Sequence, residues 1–150
     1  MKSCSFFGHR DVVCGEELKR KLRDIVEEKI INDNYTIFYF GGFGEFDDLC
    51  YKLVSELKSK YAHIKRIFCL TDQKYLIKRP KWLRAEDYED FVYFDLQFEW
   101  WYKRIYYRNL EIINHSNFIV FFAKNNNESG AYKALQYAIK KKKDFINLAE

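Results

Sequence analysis

Glycine and proline are scarce in this chain of 150 residues, which contains six glycines and a single proline, Pro80. A chain with so few turn residues depends on helices and strands that are joined by short polar loops. The sequence also lacks an apolar run of the roughly 20 residues that a transmembrane helix needs, and its first residues lack the features of a signal peptide. These absences predict a cytoplasmic protein with no membrane partner, and the length suits one domain.

Recognisable metal and disulfide patterns are also lacking. The four cysteines form no CxxC pair and the three histidines form no HExxH pattern, so neither a metal site nor a disulfide framework is expected. The formal net charge of +4 is too small to predict a nucleic-acid partner. No motif in the chain calls for a cofactor.

Apolar runs alternate with amphipathic segments along the chain. Strands are predicted at short apolar or aromatic runs, and helices where apolar residues recur every three or four positions. The predicted strands are residues 3–7, 35–40, 64–70, 118–123 and 145–148, and the predicted helices are residues 16–32, 46–60, 98–115 and 129–142. The alternation predicts a single-domain Rossmann-like α/β fold with an open, mainly parallel five-stranded sheet and helices on both faces. Residues 71–95 form a variable segment without a predicted element.

Five of the six glycines follow predicted strands. Gly8 follows the first strand, Gly41, Gly42 and Gly44 follow the second, and Gly130 lies beyond the fourth. Ligands of open parallel sheets bind beyond the carboxyl ends of the strands, where the strand order reverses. The three glycine sites are therefore expected to surround one ligand crevice.

Polar residues beside the first glycine offer binding chemistry. Arg10 presents a planar guanidinium for a phosphate or a carboxylate, and His9 is suited to hydrogen bonding or acid–base chemistry. The alternative interpretation is an ordinary loop in which Arg10 pairs with Asp11 or another surface acid.

The second glycine site opens a helix whose first turn is acidic. A glycine turn at a helix start exposes backbone N–H groups that bind anions. Glu45, Asp47 and Asp48 occupy this turn; they either complement the helix dipole or contact ribose hydroxyls and act as general acid or base. Asp47 and Asp48 are the catalytic candidates, although neither is a confident one.

Two further helices contribute candidate ligand-binding residues. Ser129 and Gly130 open the last long helix, where Ser129 either caps the helix or binds a ligand oxygen. Asn109 falls near the middle of the apolar arc of residues 98–115 and Arg108 at its edge, so this amide either ties a loop or faces a ligand. Trp100 and Tyr107 point to the opposite face.

Taken together, these segments resemble the YpsA-like branch of the SLOG superfamily. CSFFGHR at residues 4–10 is similar to its T-x-x-GHR opening, and GGFGEFDDL at 41–49 to its GGxxGFD-x-L segment. YAHI at 61–64, the Arg-Asn pair at 108–109, SGA at 129–131 and INLA at 146–149 match further segments in order. Residues 71–95 carry no resemblance.

This resemblance implies a Rossmann-like fold that binds nucleotides or nucleotide-derived ligands and that commonly self-associates. The superfamily also includes cytokinin-activating phosphoribohydrolases, the DNA-binding protein DprA and sensors of ADP-ribose-type signals. The phosphoribohydrolases carry PGGxGTxxE, whereas here Phe40 replaces the proline, Glu45 the threonine and Asp48 the glutamate. The residues expected around the ligand are Gly8, His9, Arg10, Gly41, Gly42, Gly44, Asp47, Arg108, Asn109, Ser129 and Gly130.

Three functions remain open from the sequence. The first is a sensor or sequestering protein for a nucleotide-derived small molecule, and the second is a nucleoside-monophosphate phosphoribohydrolase with Asp47 or Asp48 as its acid. The third is a protein-interaction or single-strand DNA module that uses Trp100, Tyr107 and the basic residues Lys74, Lys78, Arg79, Lys81 and Arg84. A homo-oligomer is expected from the resemblance alone.

Overall fold

A computed structural model describes residues 1–41, 44–96, 103–125 and 129–149. Their strands are β1 (Lys2–Gly8), β2 (Tyr35–Phe40), β3 (Lys65–Cys69), β4 (Asp90–Val92), β5 (Phe118–Phe122) and β6 (Asp144–Asn147). The α-helices are α1 (Glu16–Asp33), α2 (Glu45–Lys60), α3 (Arg104–His115) and α4 (Gly130–Lys140). Two short 3-10 turns, Gln73–Leu76 and Ala85–Asp87, precede β4.

All six strands pair in parallel, in the order β4-β3-β2-β1-β5-β6. The Rossmann-like α/β class is thus confirmed, but the expected five-stranded sheet is corrected to six strands. The additional strand, β4, lies inside the segment 71–95 and pairs with β3 from Ile67↔Asp90 to Cys69↔Val92. The three residues of β4 are exposed or half-buried, and they are too few to show the alternation of polar and apolar residues by which a strand is predicted from sequence. The strand forms at the edge of the sheet, where β3 offers its free side for pairing.

Helices cover both faces of the sheet, as predicted. Adjacent residues of a strand point to opposite faces, and Phe6 of β1 therefore packs with α1 and α2 while Phe7 packs with α3 and α4. Helix α1 forms because Leu22, Val26 and Ile30, four residues apart, are all buried against its face of the sheet. Both faces of the central strands are therefore covered, which explains their continuous apolar runs.

The helix boundaries differ slightly from the sequence expectation. In the described residues α3 begins at Arg104, and residues 98–102 of the predicted helix 98–115 lie outside them. Helix α4 begins at Gly130, because Ser129 is its cap, and it ends at Lys140. Within the part of the chain that the structure describes, no helix has both the length and the apolar character needed to cross a membrane.

The order of the strands places a switch point beside β1. From β1 the chain moves to β2, β3 and β4 on one side and later to β5 and β6 on the other. The loops that leave β1 and β5 consequently diverge and open a crevice at the carboxyl edge of the sheet. The candidate functional site lies in that crevice.

Candidate functional site

A cleft of about 410 Å³ occupies the switch point. Its walls come from the ends of β1 and β2, the first turns of α2 and α4, and the inner side of α3. We call it the switch-point cleft; it is lined by Phe6, Phe7, Gly8, His9, Arg10, Tyr39, Gly41, Asp47, Ile105, Arg108, Asn109, Ile112, Ser129, Gly130 and Ala131.

The loop after β1 is held in place by backbone hydrogen bonds on both sides. His9 N–H donates to the carbonyl of Phe122 at 3.2 Å, and Lys124 N–H donates to His9 Nε2 at 2.6 Å. Because Nε2 accepts this bond, the neutral imidazole carries its proton on Nδ1. On the other side, Glu45 N–H donates to the carbonyl of Arg10 at 3.0 Å. His9 therefore connects the β1 and β5 loops while its ring lines the cleft.

Three of the glycines near the cleft are closely packed against other parts of the chain. A Cβ atom on Gly8 would lie 2.4 Å from Cδ2 of Phe46, a side chain that is fully buried. Gly44 has φ +122°, a conformation that favours glycine, and a Cβ there would lie 2.7 Å from Cα of Arg10. A Cβ on Gly41 would lie 2.9 Å from Cζ of Arg108. Close packing thus accounts for these three glycines without a ligand.

Arg108 is the most unusual side chain of the cleft. It is only 3% exposed, and its guanidinium donates from Nη1 to the carbonyl of Cys69 at 3.3 Å and from Nη2 to Oδ1 of Asn109 at 3.0 Å. Its buried Nε has no hydrogen-bond partner among the described residues. Burial lowers the pKa of Arg108, while Cys69 and Asp47 act in the opposite direction. A buried cation with an unused donor is costly unless an anion or acceptor completes it.

Asp47 lies in the same cleft as a half-buried carboxyl group. Burial raises the pKa of Asp47 from 3.8 to about 7; Arg108 opposes the rise and Asp48 adds to it. The carboxyl group therefore exists in both protonation states near neutral pH. Such a group is able to donate or to accept a proton at physiological pH.

Asp48, the second catalytic candidate, does not share this environment. It is exposed and is not part of the lining of the cleft. Neighbouring residues of a helix point about 100° apart, so one of two adjacent acids on α2 faces the cleft and the other faces solvent. Asp48, which the sequence aligned with the glutamate of the PGGxGTxxE pattern, thus lies outside the lining of the cleft.

The start of α4 forms the opposite wall. Ser129 Oγ accepts a hydrogen bond from Tyr132 N–H at 2.9 Å, which is the capping role weighed from the sequence. Both Ser129 and Gly130 line the cleft. A Cβ atom on Gly130 would meet nothing within 4 Å, so a side chain there would enter open space.

The structure brings most of the sequence-predicted residues together. Nine of them line the cleft: Gly8, His9, Arg10, Gly41, Asp47, Arg108, Asn109, Ser129 and Gly130. Gly44 lies behind the lining, and Gly42 lies outside the described residues. The sequence reasoning missed the apolar lining, namely Phe6, Phe7, Tyr39, Ile105, Ile112 and Ala131, because nothing in an apolar pattern separates a cleft wall from a core position.

The basic residues of the segment 71–95 make contacts of their own. The guanidinium of Arg79 lies 4.4 Å from the ring centroid of Phe91, and Lys74 lies over Tyr75 at 5.3 Å. Arg84 forms an ion pair with Glu86. The DNA-binding alternative also names the aromatic residues Trp100 and Tyr107. Of these, Trp100 lies outside the described residues. Lys74, Arg79 and Arg84 do not line the switch-point cleft.

Among the described residues, no three His, Cys, Asp or Glu side chains are grouped to hold a metal ion. Comparison of the chain with protein-family models and with curated proteins gave no match.

Proposed function

We propose that this chain binds a nucleotide-derived small molecule, of the ADP-ribose type or another nucleotide signal, in the switch-point cleft, as a sensor or sequestering protein. Membership of the YpsA-like SLOG branch and a cytoplasmic location belong to the same proposal. Its support is the position of the cleft and the chemistry of the side chains that line it.

The observation that carries the proposal is the nearly buried guanidinium of Arg108 in the lining of the cleft. Its Nη1 and Nη2 each donate one hydrogen bond within the protein. A phosphate or another anionic group in the cleft would compensate the positive charge that burial deprives of water. Arginine is well suited to this because its planar donors match the geometry of phosphate oxygens.

The remaining charges of the cleft favour the same kind of ligand. Arg10 is exposed at the rim, and among the described lining residues Asp47 is the only acidic one. Because the pKa of Asp47 is about 7, this carboxyl group is protonated for part of the time near neutral pH and then does not repel an anion. The first turn of α4 adds backbone dipoles of the favourable sign.

Isothermal titration against nucleotides, ADP-ribose derivatives and cyclic dinucleotides tests the proposal. We expect the wild-type protein to bind at least one compound, and Gly130→Leu to weaken that binding by about tenfold or more, since its side chain enters the cleft. Gly15→Leu is the matched control, because Gly15 also has nothing within 4 Å of an added Cβ and lies outside the cleft. No heat with any compound, or equal binding by the Gly130→Leu variant, contradicts the proposal.

Asp47 supports a second candidate function, hydrolysis of a nucleoside monophosphate. A carboxyl group with a pKa of about 7 in the cleft suits a general acid that protonates the departing base while water adds to the ribose carbon. The bond between base and ribose breaks, and the products are the free base and ribose 5-phosphate. Release of base from AMP, lost in Asp47→Asn and retained in Asp48→Asn, would support it. Absence of turnover at high enzyme concentration would exclude hydrolysis and leave ligand binding as the proposed function.

Self-association is the remaining part of the proposal. Its support is the resemblance of the sequence to proteins that commonly form homo-oligomers. Native mass spectrometry of protein purified without removal of nucleotides measures the oligomeric state and any co-purified ligand together. A monomer without bound ligand would contradict both expectations.

A further inference from the structure

A second depression continues the switch-point cleft between α3 and α4. This α3–α4 groove has a volume of about 240 Å³ and shares Ile105, Asn109 and Gly130 with the cleft. Its own lining is completed by Tyr106, Leu110, Lys133 and Ala134. The two compartments therefore adjoin along these three residues, close enough for one ligand to reach both.

The groove differs from the cleft in its chemistry. Its walls are mostly apolar, and Ile105 and Tyr106 are left 51% and 43% exposed. The ring of Tyr106 packs edge to face on Tyr107, with centroids 5.2 Å apart, which orients it beside the groove. Lys133 is the only charged residue among the described residues that line the groove. These surfaces suit a flat, largely apolar group better than a phosphate.

Asn109 stands where the two compartments meet. Its Oδ1 accepts from Nη2 of Arg108 at 3.0 Å, and this bond fixes the orientation of the amide. Among the hydrogen bonds of the described residues, Nδ2 of Asn109 donates none. Two N–H donors are thus available at the mouth of an apolar groove, as needed by a ring that carries nitrogen or carbonyl acceptors.

We propose that the α3–α4 groove holds the base of a nucleotide whose phosphate lies beside Arg108 in the cleft. This inference rests on the proposed function. In this arrangement Tyr106 and Leu110 contact the planar ring, and Nδ2 of Asn109 donates to an acceptor at its edge. The ligand class is a nucleotide with an intact base, because a ribose phosphate without a base leaves the groove empty.

Titration with AMP and with ribose 5-phosphate tests this assignment, because the two probes differ by the base alone. We expect wild-type protein to bind AMP more tightly than ribose 5-phosphate. Tyr106→Ala should weaken AMP binding by about fivefold or more, the low end of what the loss of base–aromatic stacking costs. The same variant should leave the affinity for ribose 5-phosphate unchanged.

Ile139→Ala is the control variant for this experiment. Ile139 is an exposed apolar residue of α4, 54% accessible, and it lies outside the groove and the cleft. We expect it to change neither affinity, and a loss of AMP binding equal to that of Tyr106→Ala would overturn the inference.

The outcomes separate this inference from the proposed function. Equal binding of the two probes by wild-type protein, or equal weakening of both by Tyr106→Ala, overturns the placement of the base while the cleft still binds a ligand. No heat with either probe overturns the inference as well, and the broader panel described above then decides the proposed function.

Discussion

The difference in unfolding free energy between the Asp47→Asn variant and wild type should increase, in favour of the variant, as the pH rises from acidic to alkaline. The carboxyl group of Asp47 is half-buried, and burial raises its pKa from 3.8 to about 7 in the folded protein. The folded state therefore binds this proton more tightly than the unfolded state does. It follows that the unfolding free energy of wild type declines as the pH rises from about 4 to about 7. This loss of stability, the penalty for ionising Asp47 in the folded state, is complete above pH 7.

The size of the effect follows from the shift in pKa. A shift of about 3 units corresponds to about 4 kcal/mol between the two protonation states, an upper value because the group keeps some contact with solvent. Between pH 5 and pH 8 the penalty grows by about 2–3 kcal/mol. The Asp47→Asn variant carries no titrating group here, so the difference in unfolding free energy between variant and wild type should increase by that amount.

Denaturant unfolding of both proteins at several pH values between 5 and 8 measures the effect. Asp48→Asn is the matched control, because it removes an adjacent acid of the same helix that is exposed. The control should keep most of the wild-type pH dependence, with a slightly smaller loss of stability at high pH because Asp48 adds to the raised pKa of Asp47. A pH-independent difference between Asp47→Asn and wild type would refute the assignment of a raised pKa to Asp47.

Three further predictions concern the packing and the electrostatics of the cleft. Gly8→Ala should destabilise the fold by about 1–3 kcal/mol in denaturant unfolding, because its Cβ would overlap the ring of Phe46, and a neutral result would show that this ring moves freely. Ser129→Ala should cost about 1 kcal/mol through loss of the cap on α4, whereas Ser129→Asp should retain most of the stability; equal losses in thermal melts would contradict the capping role. A nucleotide ligand should bind more weakly at pH 8.5 than at pH 6.5, because Asp47 ionises at about 7, and Asp47→Asn should reduce this dependence; titrations that show the same pH dependence in both proteins would exclude Asp47 as its source.

The adjacent acids of α2 show where sequence reasoning stops. Asp47 and Asp48 both belong to the acidic first turn of the helix, so their local sequence predicts the same capping or catalytic roles. The helix turns one toward the cleft and leaves the other in solvent. The raised pKa of Asp47 is caused by its burial in the fold, which the sequence of the helix turn does not show.

The glycines give a similar lesson. Their position after strands predicted the place of the cleft, because parallel strands bring their carboxyl ends to one edge. The reason for each glycine is tertiary, however: Gly8 accommodates the ring of Phe46, and Gly41 accommodates Arg108. Gly130, in contrast, has open space around its added Cβ beside the cleft.

The sequence by itself determined the α/β class, the four helices, five of the six strands and most of the lining of the cleft. Those features follow from local periodicity and from the geometry of parallel crossovers. Only the tertiary structure decided that β4 pairs at the edge of β3, that Asp47 rather than Asp48 faces the cleft, and that Nε of Arg108 is left without a partner. These depend on which distant surfaces come into contact, since burial and hydrogen bonding are set by neighbours in space rather than in the chain.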